Sequence, residues 1–374
     1  MPIAAVSVAG YRSIQHLRLP VGPLTVLVGK NGVGKTNLYR ALELLHAAAD
    51  GSITRRIAED GGAESVLWAG AQRNGEPVKL IFMVEIDTLE YRIEIGLPML
   101  AELALCLEQG VKEEELRLRA GNKSTVLMRR QGPDAWLLDA DGARRDYARA
   151  LLPSETALAS FRDVDRYPAL EYVRRELNGW RFFHTFRTEP GAAVRGSCLA
   201  LATPMLRADG TDLAAVLATL YYVQGDAVAV ERAVDEALPG AKLMVDVDKG
   251  RASFALKFPD QPRAFGAHEI SDGTLRYLCL VGALCSYRLP AFIALNEPET
   301  SLHPDLMPAL AGLIARASKR TRIWVVTHSK VLANEISRLT GVRPGSVTKR
   351  RGATWIDGLA PTSPMADERD RLQA

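Results

Sequence analysis

LTVLV (24–28) followed by GKNGVGKT (29–36) is the stretch that decides the fold. The apolar and β-branched run predicts a short buried strand, and KTNLYRALELLHAAA (35–49) has the apolar periodicity of a helix. The turn between them satisfies GxxxxGK[ST] in the strand-turn-helix context that this pattern requires. A glycine-rich turn before a surface helix is the alternative, but all eight positions of residues 29–36 fit the pattern. We therefore predict a phosphate-binding loop at these residues, called the phosphate loop below.

The chemistry of this loop predicts a nucleoside triphosphate with Mg²⁺. Its glycines allow successive backbone N–H groups to turn inward and hold phosphates at a helix N-terminus. The Lys35 ammonium is expected to reach the β and γ oxygens, and the Thr36 hydroxyl to ligate Mg²⁺. The predicted nucleotide contacts in this part of the chain are Asn31, Gly32, Gly34, Lys35, Thr36 and Asn37.

A second polar group follows the buried strand AFIALNE (291–297), where the sequence continues as Pro298 and Glu299. Asn296 is predicted to help hold the metal, although an amide has no charge and should bind Mg²⁺ more weakly than an aspartate. Glu297 is the predicted catalytic base that polarises the attacking water. For this motif alone, the structural alternative is a strand that ends in a turn capped by polar residues.

Histidine 328 follows the next apolar run, RIWVVT (322–327). If both runs lie in one parallel sheet, His328 and Glu297 end at the same edge, which predicts a catalytic sensor of the γ-phosphate. Two roles remain open for His303, in SLHP: it could start a helix or lie at an interface, and the interface role is slightly favoured. The remaining histidines are isolated in the sequence and are expected to be structural: His16, His46, His184 and His268.

The pattern along the rest of the chain predicts an α/β protein with a parallel core sheet. KLIFMVEI (79–86) and EYRIEIGL (90–97) indicate an antiparallel pair beside that core, whereas VKEEELRLR (111–119) has the pattern of a charged helix. Downstream, the patterns predict two amphipathic helices (211–223 and 226–238), a hairpin through Asp248, Lys249 and Gly250, and a βαβ unit from 291 to 329.

Composition restricts the function classes. The 374 residues carry 47 Lys and Arg against 44 Asp and Glu, and the net charge of +3 does not by itself indicate nucleic acid or a membrane surface. No uninterrupted apolar run is long enough to span a bilayer. The four cysteines form no CxxC pair and lie in mainly apolar stretches, which favours reduced thiols and a cytoplasmic protein: Cys106, Cys198, Cys279 and Cys285.

Taken in order, five short blocks resemble the ABC-type ATPase heads of the RecF, SMC and double-strand-break-repair group, and RecF-like bacterial "AAA family" ATPases without coiled coils. The blocks are GYRSI (10–14), GKNGVGKTN (29–37), ISDGTLRYL (270–278), ALNEPETSLHPDL (294–306) and VVTHS (325–329). This resemblance implies a P-loop NTPase head with an antiparallel β subdomain and an inserted α/β second lobe. It implies lobe I from 1–100 and 288–360, lobe II from 101–287, and a polar tail at 361–374.

The resemblance also implies a shared site. In this family an S-x-G turn, here Ser271 and Gly273, binds the γ-phosphate of ATP held by the opposite subunit, so a homodimer with two ATP molecules is expected. Arg12 resembles the family's N-terminal arginine that contacts nucleotide, though a solvated arginine also fits. The family's Q-loop glutamine has only a weak candidate, Gln72.

The expected function is an ATPase switch in DNA maintenance or anti-phage defence, acting on DNA or on an effector or nuclease partner. A non-hydrolysing ATP sensor and the energising subunit of a membrane transporter are the alternatives. The diverged SDGT turn and the long insert disfavour the transporter. Two basic clusters could contact DNA phosphates, although solvated surface charge also explains them: Arg129 and Arg130, and Lys349 to Arg351.

Overall fold

A computed structural model describes residues 3–68, 70, 79–96, 110–121, 123–224 and 227–359. The chain divides into two compact units. The first is formed by Met1–Gly22, Gly29–Trp180 and Gly345–Ala374, and the second by Pro23–Val28 and Arg181–Pro344. These units separate at Trp180 and Arg181, whereas the expected lobes separate at residues 100 and 287.

Both units contain strands and helices, and the strands between residues 80 and 147 follow one another without a helix among the described residues. The strands are β1 (Ile3–Tyr11), β2 (Ile14–Pro20), β3 (Leu24–Val28), β4 (Leu80–Ile86), β5 (Leu89–Gly96), β6 (Gly110–Ala120), β7 (Lys123–Gln131), β8 (Asp134–Leu138), β9 (Arg144–Tyr147), β10 (Arg181–Phe183), β11 (Cys198–Leu199), β12 (Lys242–Asp248), β13 (Arg251–Lys257), β14 (Ala264–Gly266), β15 (Phe292–Asn296), β16 (Arg322–Thr327), β17 (Gly345–Arg350) and β18 (Ala353–Ile356). The helices are α1 (Lys35–Asp50), α2 (Ile53–Glu59), α3 (Gly62–Val66), α4 (Ala157–Ser160), α5 (Pro168–Asn178), α6 (Leu213–Ala218), α7 (Val228–Ala237), α8 (Asp272–Cys285), α9 (Met307–Ala317) and α10 (Lys330–Thr340).

The first unit is built on an antiparallel sheet in the order β2-β1-β4-β5-β6-β7-β8-β9. The predicted pairing of residues 79–86 with 90–97 is confirmed, because β4 and β5 pair from Leu80 with Ile95 to Ile86 with Leu89. Helix α1 packs against α5 and β4, and β18 lies beside β2. The phosphate loop and the C-terminal hairpin β17–β18 therefore belong to the unit that contains this sheet.

The prediction of a charged helix at 111–119 is wrong, because these residues form β6 between β5 and β7. Their charges are matched across the strands rather than along a helix face. Arg119 is paired with Glu90 on β5, and Glu115 Oε2 lies 3.9 Å from Arg129 Nε on β7. Cross-strand pairing and burial outweigh the intrinsic helix preference of Glu, Lys and Arg.

A buried ion pair fastens the segment 152–158 to this sheet. Glu114 and Arg130 have fully buried side chains and lie 3.7 Å apart. The Glu114 carboxylate accepts hydrogen bonds from the Tyr91 hydroxyl and from the backbone N–H groups of Ala157 and Leu158. The Arg130 guanidinium donates to three backbone carbonyls, those of Gly132, Leu152 and Glu155. Arg130 is therefore structural, and its proposed contact with DNA phosphates is wrong.

Replacing Arg130 by Met should destabilise the protein by about 3–5 kcal/mol, since the change leaves a buried carboxylate and three carbonyls without their cation. The neighbouring change Arg129→Met is the control. The Arg129 side chain is 43% exposed and only loosely paired, so its loss should cost less than about 1 kcal/mol. Urea unfolding followed by circular dichroism measures both. Equal losses for the two variants would contradict the structural role.

The second unit is built on a parallel sheet in the order β10-β15-β16-β3. Helix α9 connects β15 to β16, which confirms the predicted βαβ unit, and α8 lies buried against α9 and α7. At the end of the strands Val28 pairs with Thr327, and Asn296 pairs with Val326. The carboxyl ends of these strands thus share one edge of the sheet, where α/β proteins place their sites.

The remaining elements of the second unit match the sequence patterns. Helix α6, which continues as a π-helical turn at Thr219–Gln224, and α7 occupy the two predicted amphipathic helices. The predicted hairpin is β12–β13, whose turn at Lys249 and Gly250 has φ of 48° and 77°. Positive φ at both residues is typical of a two-residue hairpin turn.

Some predictions fall outside the described residues, namely those on Gln72, Cys106 and the tail 361–374. In the described part of the chain three cysteines are free, and two of them, Cys279 and Cys285, are buried. None of the helices described is both long and apolar enough to cross a membrane.

Candidate functional site

The phosphate loop is a tight turn that requires glycine. Gly34 has φ of 97°, and a Cβ atom there would lie 2.0 Å from Thr354 Oγ1. A Cβ atom at Gly29 would lie 2.6 Å from the Val347 carbonyl. Gly32 has φ of 80° but an open surrounding, since an added Cβ would meet nothing within 4 Å. The loop is therefore packed on the side of the hairpin β17–β18 and open at Gly32.

Helix α1 begins at Lys35 with its N-terminal end free of side-chain caps. The cap residue Gly34 provides no side-chain hydrogen bond, and no acidic residue lies in the first turn. The partial positive charge of this end is thus not offset by a local carboxylate, which suits an anion. The Lys35 side chain is buried, and its Nζ donates to the Lys30 carbonyl at 2.8 Å across the loop. Asn31 is exposed and Thr36 is partly buried.

A chain of hydrogen bonds fixes the far side of the loop. The Thr354 hydroxyl lies 3.0 Å from the Val33 carbonyl and 2.7 Å from Ser13 Oγ. Asn37 Nδ2 donates to the same Ser13 oxygen at 2.7 Å. The backbone N–H of Thr354 donates to the Ser13 carbonyl at 2.7 Å, and the Thr354 side chain is buried. We call these residues, Ser13, Val33, Asn37 and Thr354, the loop brace.

Arg12, predicted to contact nucleotide, is paired within its own unit. Its Nη2 atom lies 2.8 Å from Asp60 Oδ2, and Arg40 also reaches this carboxylate at 3.4 Å. The Arg12 backbone has φ of 47° and its N–H donates to the Val66 carbonyl. The contact of Arg12 with nucleotide stays a prediction.

In the second unit, Asn296, Glu297 and His328 meet at the carboxyl edge of the parallel sheet, as their spacing predicted. Asn296 is buried at the end of β15, and its Nδ2 lies 2.7 Å from His184 Nδ1. The sequence interpretation treated His184 as isolated. The signal that could have found it is RFFH (181–184), in which a short apolar strand ends in histidine as β16 does.

Glu297 begins a tight turn, Glu297–Leu302, which we call the carboxylate turn. Glu297 has φ of 50°, an unusual value for a residue with a side chain, and its N–H donates to the Val326 carbonyl at 2.7 Å. Ser301 also has a positive φ, of 65°. The Glu297 carboxylate is partly exposed, and its Oε1 lies 3.7 Å from His328 Nδ1.

Glu299 was not among the predicted site residues, yet it organises the turn after β16. One of its oxygens, Oε1, accepts hydrogen bonds from the Thr327 hydroxyl and from the backbone N–H groups of His328 and Ser329. The same oxygen lies 3.2 Å from His328 Nδ1. Its side chain is only 5% exposed, so the contacts are shielded from water. Glu299 therefore fixes where His328 stands relative to Glu297.

Two buried oxygens at this edge have no hydrogen-bond partner among the described residues, Asn296 Oδ1 and Glu299 Oε2. Buried oxygens of this kind are usually satisfied by water or by an ion. The described residues contain no cluster of three or more His, Cys, Asp or Glu side chains that could enclose a metal. The two unpartnered oxygens belong to an amide and a carboxylate, groups that fit a Mg²⁺ ion with few protein ligands and several waters.

The predicted turn at Ser271 and Gly273 opens helix α8 beside the carboxylate turn. Ser271 caps the helix, since its Oγ accepts from the Thr274 N–H at 3.3 Å. A Cβ atom at Gly273 would lie 2.7 Å from the Ser301 carbonyl, so only glycine allows this contact. Arg276 adds a hydrogen bond to the Thr300 carbonyl at 3.2 Å. Residues 271–274 are called the signature turn below.

An open cavity of about 440 Å³ lies between the signature turn and residues 301–306. His303 is on its wall, and its Nδ1 accepts from the Asp305 N–H at 3.3 Å. This residue starts a short 3₁₀ turn, Pro304–Leu306, while its ring remains exposed. It is thus a helix-start residue in structure, and its role at an interface stays a prediction.

Removing the Thr354 hydroxyl should weaken the loop brace. Thr354→Val keeps the shape but leaves the Val33 carbonyl and Ser13 without this partner, at a cost of about 1–3 kcal/mol in unfolding free energy. Thr354→Ser should retain most of the stability, and Thr348→Val on the neighbouring strand is the control. Thermal unfolding measures all three. A loss in Thr354→Ser as large as in Thr354→Val would argue against the brace.

The fold defines the class of protein. Two solved SMC head domains, one bound to the C-terminal winged-helix domain of ScpA and one from Pyrococcus furiosus with an extended coiled coil, superpose with TM-scores of 0.50 and 0.52. The superpositions cover 98% and 99% of this chain and 100% and 98% of those chains, at 14% identity. The chain thus has the ABC-type ATPase head fold, as its sequence blocks implied.

The chain belongs to the family described as AAA domain, putative AbiEii toxin, type IV TA system, whose model matches residues 24–334. It is 47% identical over 38 residues to an OLD nuclease of Thermus scotoductus, covering 10% of this chain and 7% of that protein. It is also 32% identical over 181 residues to the DNA replication and repair protein RecF of Renibacterium salmoninarum, covering 44% of each. The chain therefore spans less than half the length of these two relatives.

Proposed function

We propose that this protein is an ATP-binding and ATP-hydrolysing switch that closes two copies of itself around two ATP molecules. The observation that carries the proposal is the meeting of Glu297, Glu299 and His328 at the edge of the sheet that contains β3. Strand β3 ends at that edge and continues along the chain into the phosphate loop. The residues proposed to activate water follow β15 and β16, and the phosphate loop follows β3, which pairs with β16.

In this proposal the phosphate loop holds the triphosphate. The uncapped N-terminus of α1 and the N–H groups of Asn31, Gly32 and Gly34 face the phosphates, and Lys35 exchanges its bond to Lys30 for the β and γ oxygens. Thr36 and Asn296 would supply oxygen ligands to Mg²⁺, and Asn37 donates to Ser13 in the loop brace. When bound, Mg²⁺ would neutralise charge on the phosphate oxygens.

Hydrolysis is assigned to the carboxylate turn. Glu297, partly exposed and held by its positive φ, takes the proton of the attacking water. His328, fixed by Glu299, donates from its ring to the γ-phosphate. Because Asn296 would bring no charge to the metal, the buried Glu299 carboxylate, whose Oε2 has no hydrogen-bond partner among the described residues, would help offset the cation.

The dimer rests on the signature turn. Ser271, Gly273 and Thr274 border an open cavity at the N-terminal end of α8. We infer that this turn receives the γ-phosphate of ATP held by a second copy, which gives an isologous dimer with two shared sites. Closure of the dimer would then require ATP, and hydrolysis would allow the dimer to open.

The pathway is proposed from the relatives. Their names concern a nuclease and DNA replication and repair, which supports action on DNA or through an effector or nuclease partner, in genome maintenance or defence. Lys349, Arg350 and Arg351 are exposed and could contact phosphates, although Arg350 is paired with Asp357 at 2.9 Å. The uncharged Asn296 favours one second candidate, an ATP sensor that binds without turnover.

Glu297→Gln should bind ATP with near wild-type affinity but release phosphate about 10²- to 10⁴-fold more slowly, since a general base acts in the transition state. Lys35→Ala should instead lose ATP affinity. The surface change Glu335→Gln is the control for loss of a carboxylate. Phosphate release and fluorescent-nucleotide binding separate these effects. Unchanged turnover in Glu297→Gln would remove it from the base role, and a wild type without turnover would favour the sensor.

Ser271→Arg should block ATP-dependent dimerisation and most turnover through bulk and charge at the interface, while ATP binding stays near normal. Ser124→Arg, at an exposed position on β7, is the matched control and should dimerise normally. Light scattering with and without ATP and Mg²⁺ gives the mass.

In addition, mixing Ser271→Arg with Lys35→Ala should restore part of the turnover, because one of the two shared sites is then intact. Full turnover by a wild-type monomer would exclude the shared site.

A further inference from the structure

Arg195 is bonded to the signature turn through Asp272, in the same unit, and its side chain is only 11% exposed. It ends a short 3₁₀ turn, Ala193–Arg195, and its guanidinium donates on three sides. Nε donates to the Thr188 carbonyl at 2.6 Å, and Nη2 to Asp272 Oδ1 at 2.5 Å. Nη1 lies within hydrogen-bonding reach of three carbonyls, those of Ala267, His268 and Ile270, at 3.3, 3.1 and 2.8 Å.

These acceptors, apart from Thr188, belong to the segment that leads into Ser271. Strand β14 ends at Gly266 and α8 begins at Asp272, so residues 267–270 have neither a strand nor a helix to pair their carbonyls. Three carbonyl dipoles that point at one place repel one another unless a cation lies there. The position of the segment, and therefore of Ser271, depends on this guanidinium.

Asp272 gives a second, electrostatic reason why the signature turn depends on Arg195. Its carboxylate follows Ser271 directly and lies in the first turn of α8, where it stabilises the helix dipole. In the same place it would repel a phosphate that approaches the turn. The pairing with Arg195 holds this half-exposed carboxylate through one oxygen and offsets its charge. The Arg263 and Glu269 pair in the same segment is more exposed, and Glu269 also accepts from the Gly266 N–H.

We propose that Arg195 is a positioning residue for the shared nucleotide site. It holds the signature turn in the shape that receives the terminal phosphate of ATP bound by a second copy, and it shields that phosphate from Asp272. This inference rests on the proposed dimeric function and extends it to a residue that lies outside every sequence block. The turn is then held by the Arg195 guanidinium through Asp272 and packs on the Ser301 carbonyl, while Ser271, Gly273 and Thr274 line the cavity.

The experiment compares Arg195→Ala with Arg187→Ala, a control from the same region whose side chain is 78% exposed and paired with Glu189. Arg195→Ala should reduce phosphate release and ATP-dependent dimerisation by at least about tenfold. Fluorescent-nucleotide affinity should change by less than about twofold, because the phosphate loop is untouched. Arg187→Ala should match wild type in all three measurements.

The charge on Asp272 separates positioning from a merely structural role. Asp272→Asn removes the repulsion, so the double variant Arg195→Ala with Asp272→Asn should recover at least about threefold of the lost turnover. Arg195→Lys should fall between wild type and Arg195→Ala, since an ammonium keeps the charge but not the forked geometry. Thermal unfolding of each variant shows whether it remains folded.

Two outcomes would overturn the inference. One is an Arg195→Ala variant that dimerises and turns over like Arg187→Ala. The other is a parallel loss of melting temperature and nucleotide affinity that Asp272→Asn does not relieve. Ser271→Arg is run beside them: if it dimerises and turns over normally, the shared-site function itself has failed, whereas a defect there with a normal Arg195→Ala overturns only the role of Arg195.

Discussion

The parallel pairing of β3, β15 and β16 is the constraint on which the second unit depends. Once Asn296 is opposite Val326 and Thr327 is opposite Val28, the polar residues that follow these strands must emerge along one edge. Glu299 then joins the two turns at that edge, because a single carboxylate oxygen collects donors from Thr327, His328 and Ser329. The backbone arrangement brings the groups near each other, and one buried side chain sets their final geometry.

The sequence predicted those parts whose chemistry is local. A strand, a glycine turn and a helix within residues 24–49 require nothing from distant residues, and the two apolar runs at 291–297 and 322–327 are too apolar to lie anywhere but a buried sheet. The convergence of Glu297 and His328 followed from the rule that parallel strands end together. Helix-forming residues at 111–119 misled the prediction, since Glu, Lys and Arg favour helices unless neighbouring strands pair their charges.

What the sequence did not show is the set of contacts between residues far apart in the chain. His184 touches Asn296 only because β10 pairs with β15, and β10 is too short to stand out as a pattern. In the sequence nothing separates Arg195 from a surface arginine, and its role follows only from its contacts with residues 267–272. Arg130 shows the opposite case, since a basic dipeptide that suggests a surface cluster contains one side chain that is completely buried. Such roles depend on topology rather than on residue type.

The loop brace has a consequence for biosynthesis. Ser13 and Thr354 are 341 positions apart, so the Val33 carbonyl and the Ser13 hydroxyl gain their contacts with Thr354 only after almost the whole described chain has left the ribosome, whereas Asn37 can bond to Ser13 early. Until then a nascent chain has the glycine turn without the strand β18 that contacts it, and folding of the intervening residues shortens the loop that must be closed. The shape of the phosphate loop is thereby linked to the formation of β18, because a chain that ends before residue 354 contains the loop but lacks the residue that braces it.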